Sequence, residues 1–272
     1  MNKDFELDVW SHHETVSPRE RLVFLGASNL SRAFPTVVSL ARSVFEGPLS
    51  IFAAKGFGRS YGLESGCFGK KSPGIFFSGI WSALQLEKTV PITAWITDIG
   101  NDLAYEVPVE TIVEWVSGCV DRLQELDARI ALSDLPIATL RDVSEGKFRL
   151  LRTLLFPASR LQRGELLARA TALSGALQEL GKTRNIPIFH ASSAWYGFDP
   201  IHLRGEHHAR MWSELMGLFA DLVDDRHLTD DSWWLRCYLR LLQPESWTQF
   251  SVLRRAQQPN GRLLDGTTVA LY

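Results

Sequence analysis

Short apolar runs bounded by turn residues alternate along this chain with longer stretches of helical periodicity. Five runs have the length and continuous hydrophobicity of strands buried on both faces: LVFLGA from Leu22, LSIFAA from Leu49, ITAWIT from Ile92, RIALSDL from Arg129 and IPIFHA from Ile186. The spacing between them predicts helices near residues 31–45, 75–87, 109–127 and 160–183, and another follows the last run at 205–224. Strands separated by crossovers of this length pair in parallel through right-handed connections. The pattern therefore predicts an α/β fold: a parallel sheet of about five strands flanked by helices. Beyond about residue 228 the character changes to a segment rich in Trp and Arg, followed by turn and strand material. We read residues 1–227 as the main domain and 228–272 as an appendage packed on it. Its tryptophans are expected mainly in core packing, with a lid or a homo-oligomer contact as the other uses.

The chain has 272 residues, 45% hydrophobic and 22% charged, enough for one large domain with a full core or for two small domains. Its formal net charge of -2 supplies no global field to hold phosphate backbones or anionic membranes, so nucleic acid is not an expected partner, although local basic stretches are compatible with it. Cys67, Cys119 and Cys237 are too scattered for a disulfide framework and lack the spacing of a zinc site, which suggests a reducing compartment. The first residues, MNKDFELDVWSHHETVSPRE, carry acids and histidines where a secretory signal needs a basic start and an apolar run. No 18-residue apolar run is present to span a bilayer. The expected location is the cytoplasm.

In open parallel sheets the ligand site lies outside the carboxyl ends of the strands. That rule selects Gly26-Ala27-Ser28-Asn29 after the first run, Gly56-Phe57-Gly58-Arg59-Ser60 after the second, Asp98-Ile99-Gly100-Asn101-Asp102 after the third, and Trp195 to His202 after the fifth. Ser28 sits where a strand turns into a helix, a place that suits either a nucleophilic hydroxyl or a plain N-cap. In Asp199-Pro200-Ile201-His202 the spacing lets a carboxylate hold one ring nitrogen while the other faces outward; a surface turn with an Asp cap has the same sequence. Asn101 offers an amide donor for a developing oxyanion, and an Asn-Asp pair also makes an ordinary turn.

Taken together and in this order, these residues resemble the SGNH (GDSL-like) hydrolases over Leu22 to about His202, roughly two-thirds of the chain. The last block, Asp199-Pro200-Ile201-His202-Leu203, matches without gaps. In the family the serine follows Gly-Asp, whereas here it follows Gly26-Ala27; the missing Asp is not the triad carboxylate. The family's Gly-x-Asn-Asp becomes Ile99-Gly100-Asn101-Asp102, with the glycine shifted by one place. The resemblance implies a three-layer α/β/α sandwich of flavodoxin-like order and a triad of Ser28, His202 and Asp199. It also implies an oxyanion hole from the Ser28 N–H, the Asn101 side chain and a glycine N–H, with Gly58 favoured over Gly56. The expected activity is hydrolysis of a small-molecule ester, as an esterase, acyl hydrolase or carbohydrate O-acetylesterase, through an acyl-enzyme.

Two other readings share the same residues. Gly58-Arg59-Ser60-Tyr61-Gly62 matches the Gly-x-Ser-x-Gly elbow of α/β-hydrolases, which would make Ser60 the nucleophile, although Lys55-Gly56-Phe57 separates it from its strand. The altered first and third blocks also admit a domain that binds its ligand without turning it over. No cofactor is expected: Gly-x-Gly-x-x-Gly is missing after the first run, and the GFGRSYG string, which recurs in some flavin-binding loops, has no other support. No metal is assigned, and His207 and His208 are expected to be solvated. Arg59, Tyr61 and Trp195 flank the site and are the substrate-binding candidates, with Tyr196 and Arg204 beside them; each also suits packing or surface roles.

Overall fold

The computed structural model of the chain describes residues 18–67, 69–86, 90–156, 159–220 and 232–272. All five apolar runs are strands of one sheet: β1 (Glu20–Leu25), β2 (Leu49–Ala54), and, after the short strands β3 (Ser65–Cys67) and β4 (Lys70–Ser72), β5 (Ile92–Ile96), β6 (Arg129–Ser133) and β7 (Ile188–Phe189). The tail supplies β8 (Ser246–Gln249), β9 (Val252–Arg255), β10 (Gly261–Arg262) and β11 (Thr268–Leu271). The main sheet runs β10-β11-β2-β1-β5-β6-β7, with every pair parallel except β10 with β11. The five central strands thus follow the flavodoxin-like order, with the switch point between β1 and β5. A second sheet, β3-β4-β8-β9, joins the 65–72 excursion to the tail.

Alternate side chains of each parallel strand point to opposite faces, and both faces are covered. Val23 and Leu25 of β1 belong to the core beneath α4 (Val109–Gln124) and α7 (Arg163–Thr183), whose Ile112, Val116, Leu173 and Leu177 are fully buried there. Leu22 and Phe24 enter the opposite core, against Phe34 and Val37 of α1 (Ser28–Val44), Trp212 and Leu215 of α8 (His208–Met216), and Leu239 of α9 (Trp233–Leu241). Phe24 stacks on Trp95, 4.9 Å between ring centroids, and meets Trp212 edge-on. These contacts produce the helix-sheet-helix layering. The other helices lie between strands in sequence: α2 (Ile80–Leu84), α3 (Asn101–Ala104), α5 (Ile137–Arg141) and α6 (Glu145–Leu155).

Three expectations need correction. The sheet has seven strands among the described residues, not about five, because the tail does not stop at packing on the domain. Thr268–Leu271 pairs in parallel with β2, which would otherwise be an exposed edge, and Gly261–Arg262 pairs outside it. The proposed boundary at 227/228 and the N-terminal segment fall outside the described residues. The tail's tryptophans are not mainly core either: Trp233 and Trp234 are 65% and 75% exposed. The segment 137–155, with no helix expected, forms α5 and α6. No helix among the described residues is long and apolar enough to cross a membrane.

Because Leu271 is buried at the sheet edge, Leu271→Ala should lower stability by about 2–5 kcal/mol, read as the shift in urea unfolding. A side chain on a detachable appendage would cost less than about 0.5 kcal/mol.

Candidate active site

At the switch point, β1 ends and α1 begins within three residues. Gly26 makes the turn possible, since a Cβ there would stand 2.4 Å from the Thr97 hydroxyl oxygen. Ser28 is the first residue of α1, which has no side-chain cap of its own. The cap comes from the turn after β5: Asp98 accepts the backbone N–H groups of Ala27 at 2.8 Å and Leu30 at 3.1 Å. Asp98 occupies the left-handed region, with φ 58°, a conformation that Asp tolerates better than most residues. Its charge lies at the positive end of the α1 dipole.

The Ser28 hydroxyl meets the Nε2 of His202 at 2.8 Å, across 174 positions of sequence. The other ring nitrogen, Nδ1, is hydrogen-bonded to the Asp199 carboxylate. Both Ser28 and His202 are buried, whereas Asp199 is partly exposed. Burial pushes the Asp199 carboxyl up, but its hydrogen bond and charge interaction with His202 and the backbone N–H groups of Ile201 and His202 outweigh that, and its pKa lies below the ordinary value.

What keeps the 199–203 loop against α1 is Asn29. Its Nδ2 donates to the Ile201 carbonyl and to Asp98, both at 2.9 Å, while its Oδ1 accepts the Leu203 N–H at 2.9 Å. The two backbone contacts bracket His202. Asn29 appears in the sequence only as the residue after the serine, and no local pattern shows that its partners lie more than 170 positions away.

Asn101 lines the same cavity as Ser28, and its Nδ2 donates to the Arg59 carbonyl at 3.3 Å. An amide nitrogen has two hydrogens, so this bond occupies one of them. Gly58 is not among the residues lining that cavity. It takes φ 65°, and its carbonyl accepts the Tyr105 hydroxyl; a Cβ there would stand 2.9 Å from the Cys67 sulfur. Gly56 lines a separate cleft.

The substrate-binding candidates are scaffold. Arg59 is 1% exposed, and its guanidinium donates to the carbonyls of Pro73, Lys55 and Tyr272, which tie the loop to the end of β11. Tyr61 is fully buried and donates to the Thr97 carbonyl at 2.7 Å. Trp195 packs in the core beside Phe189 and His207. The polar atoms of Arg59 and Tyr61 serve backbone carbonyls, which need partners once buried. Tyr196 does line the cavity, whereas Arg204 binds the Ala194 carbonyl and Glu206.

Ser60 does not occupy an elbow. It is fully buried; its hydroxyl donates to Asp102 and accepts the N–H groups of Gly62 and Leu63. Asp102 also takes the Tyr61 N–H at 2.9 Å. Burial raises the Asp102 carboxyl to about 6, against the lowering effect of those bonds. The Asn-Asp pair is therefore divided: Asn101 faces the cavity and Asp102 braces the loop that holds Ser60. His208 is half-buried rather than solvated, and its Nε2 is buried with no hydrogen-bond partner among the described residues.

The cavity at Ser28 has a volume of about 150 Å³. Beyond the polar residues at its mouth, Leu103, Leu135, Leu140, Val143, Phe148 and Leu166 form its wall. They come from α3, the turn after β6, and α5 to α7. No group of three or more His, Cys, Asp or Glu among the described residues could hold a metal ion.

No protein-family model matches the sequence, and no curated protein matches it. Among solved structures, the fold is similar to that of an M. smegmatis aryl esterase, with a TM-score of 0.50 at 11% identity, covering 75% of this chain and 100% of that one. A G-D-S-L family lipolytic protein from Veillonella parvula aligns with a TM-score of 0.46 at 9% identity, over 74% of this chain and 97% of its own. An acetyl xylan esterase, AlAXEase, also gives 0.46 at 9% identity, over 73% and 99%. At such identities the likeness is one of fold.

Asn29→Ala should cost about 1–3 kcal/mol, because it strands the Leu203 N–H and one face of Asp98. Hydrogen exchange at Leu203 should quicken beyond the global loss of stability; unchanged exchange there would mean that the loop is held by something else.

Proposed function

We propose that this chain, which has the fold of the SGNH (GDSL-like) hydrolases, is a serine ester hydrolase with Ser28 as nucleophile, His202 as general base and acid, and Asp199 as the carboxylate that orients the imidazole. The observation that carries this reading is the continuous hydrogen-bond path from the Ser28 hydroxyl through both nitrogens of His202 to Asp199. A nucleophile, a base and an orienting carboxylate connected in this way are what acyl transfer requires.

In the first half-reaction the Ser28 oxygen attacks the ester carbonyl carbon while its proton passes to Nε2 of His202. Asp199 stabilises the imidazolium through Nδ1. The oxyanion draws on the Ser28 N–H at the start of α1 and on the Asn101 amide, while Gly58, which does not line the cavity, is left out of the hole. Collapse breaks the bond to the alcohol oxygen, which takes the proton from Nε2. Water then repeats the sequence and releases the acid and free Ser28.

The cavity supports a substrate with an apolar acyl group. Apolar cavities of about 150 Å³ accept a guest the size of a six-membered ring. An acetyl group would leave most of this one empty, whereas acyl groups of about six carbons fill it.

A fluorophosphonate probe should label the wild-type protein and the Ser60→Ala variant but not Ser28→Ala, and should react far more slowly with His202→Ala. Turnover of p-nitrophenyl hexanoate should fall ~10³-fold or more in Ser28→Ala. Labelling that persists in Ser28→Ala would overturn the assignment. Among p-nitrophenyl esters from acetate to dodecanoate, kcat/KM should peak near six carbons. Leu140→Trp, which fills the cavity, should move the peak toward acetate, with ~10-fold or greater loss for hexanoate relative to acetate. A wild-type profile that peaks at acetate would rule out the cavity as the acyl site.

A further inference from the structure

The wall of the cavity at Ser28 carries two cations among its leucines. They are Arg152, in the last turn of α6, and Arg163, the first residue of α7, and its described lining contains no other basic residue. Neither guanidinium has an ion pair with a carboxylate among the described residues. The three acids of the same lining are engaged elsewhere. Asp98 holds the start of α1 and Asn29, Asp199 holds His202, and Asp134 takes the Leu135 N–H, Ser174, Gln178 and His190.

Each arginine is held by one backbone carbonyl. Arg152 donates from Nη1 to Leu161 at 2.9 Å, and Arg163 donates from Nη2 to Arg141. A guanidinium has five N–H groups, so most of the hydrogen-bonding capacity of both remains. The Nε and Nη2 of Arg152 make up the edge that pairs side-on with a carboxylate. The Nε of Arg163 is buried with no hydrogen-bond partner among the described residues. A buried donor without an acceptor is destabilising, and cations set in an apolar wall favour a ligand that brings its own negative charge.

The two arginines stand away from the nucleophile. The short helix α3 begins at Asn101, and just beyond its end the Tyr105 ring meets Phe156 edge-on at 5.5 Å while Glu106 accepts the Arg160 N–H. Those contacts place Phe156 and Arg160, and with them the Arg152 guanidinium bonded to Leu161, at the opposite end of α3 from the Asn101 amide. Four residues of helix separate the ends by about 6 Å. The helix α5 is disposed likewise. Its Thr139 donates to the Pro200 carbonyl of the histidine loop, and the carbonyl of its last residue, Arg141, accepts Arg163. An acyl chain that starts at Ser28 and lies along Leu103 and Leu140 therefore points its last carbon at guanidinium groups.

We propose that Arg152 and Arg163 bind a carboxylate at the far end of the acyl chain, so that the substrates are half-esters of dicarboxylic acids of about six carbons. The inference rests on the ester-hydrolase reading for the position of the ester, and on the cavity alone for the anion.

The test compares monomethyl adipate with methyl hexanoate, two esters alike except that a carboxylate replaces the terminal methyl. In the wild type kcat/KM should be at least ~10-fold higher for the adipate ester, mainly through KM. Arg163→Gln should lower this ratio ~3-fold or more. In Arg152→Gln/Arg163→Gln the order should reverse, because the carboxylate then enters an apolar cavity without a counter-charge. Both esters are measured on the same protein, so a general loss of activity leaves the ratio intact. Equal rates in the wild type, or a ratio that neither variant changes, would overturn the proposal. Calorimetry on Ser28→Ala separates the anion subsite from the hydrolase reading. If the wild type cleaves neither ester, binding of monomethyl adipate at least ~10-fold tighter than methyl hexanoate, lost when both arginine substitutions are added, supports the subsite while the hydrolase reading falls. Equal affinity for the two esters, or no binding of either, overturns the subsite itself.

Discussion

The site depends on one side-chain amide. Asn29 follows the serine at the start of α1, and its donor and acceptor take the Ile201 carbonyl and the Leu203 N–H, one on each side of His202. The bracket holds the loop from the α1 side, while Thr139 donates to the Pro200 carbonyl at 2.7 Å and Leu203 bridges to Tyr196 on the other side. Asp98 completes the arrangement from the third side, since it holds the Asn29 amide and caps α1 at once. Three segments distant in sequence are thus locked by hydrogen bonds made largely out of water, where geometry is well defined and a lost partner is costly. Helix start, strand end and histidine loop are joined into one hydrogen-bonded unit.

Around this unit the surroundings are asymmetric. On one side, α3, α5, α6 and α7 enclose a small apolar cavity with Ser28 at its mouth. On the other, the tail and the β3–β4 hairpin frame a wide cleft lined by cations. The two share Leu203, a buried residue of the loop that carries His202. This contrast is a matter of placement, because the chain's overall charge is close to neutral.

The polar residues of the glycine-rich loop after β2 show how burial redirects function. Arg59, Ser60 and Tyr61 all carry groups that could contact a ligand, yet each is turned inward onto carbonyls or the Asp102 carboxylate. Burying that many polar groups is tolerable only because each of these nitrogen and oxygen atoms has a hydrogen-bond partner. What the loop provides is a rigid floor: it carries the carbonyl that Asn101 binds, and Arg59 ties the central fold to the last residues of the chain.

The sequence by itself determined the α/β class, the five central strands and the residues most suited to chemistry, because continuous apolar runs and helical periodicity are local consequences of burial. It also placed Ser28 and the Asp199–His202 pair at strand ends, where the resemblance to SGNH hydrolases could be read. Only the tertiary structure decided the rest. That Thr268–Leu271 extends the sheet depends on an open edge at β2, and edge pairing leaves no mark on a four-residue segment. That Arg59 and Tyr61 face inward depends on carbonyls supplied by Pro73, Thr97 and Tyr272, far away in the chain. The helices of 137–155, the apolar wall they build and the grouping of Arg32, Lys55, Lys70 and Arg240 are likewise products of packing. Side chains scattered along the sequence gain a common field or a common surface only when the backbone brings them together.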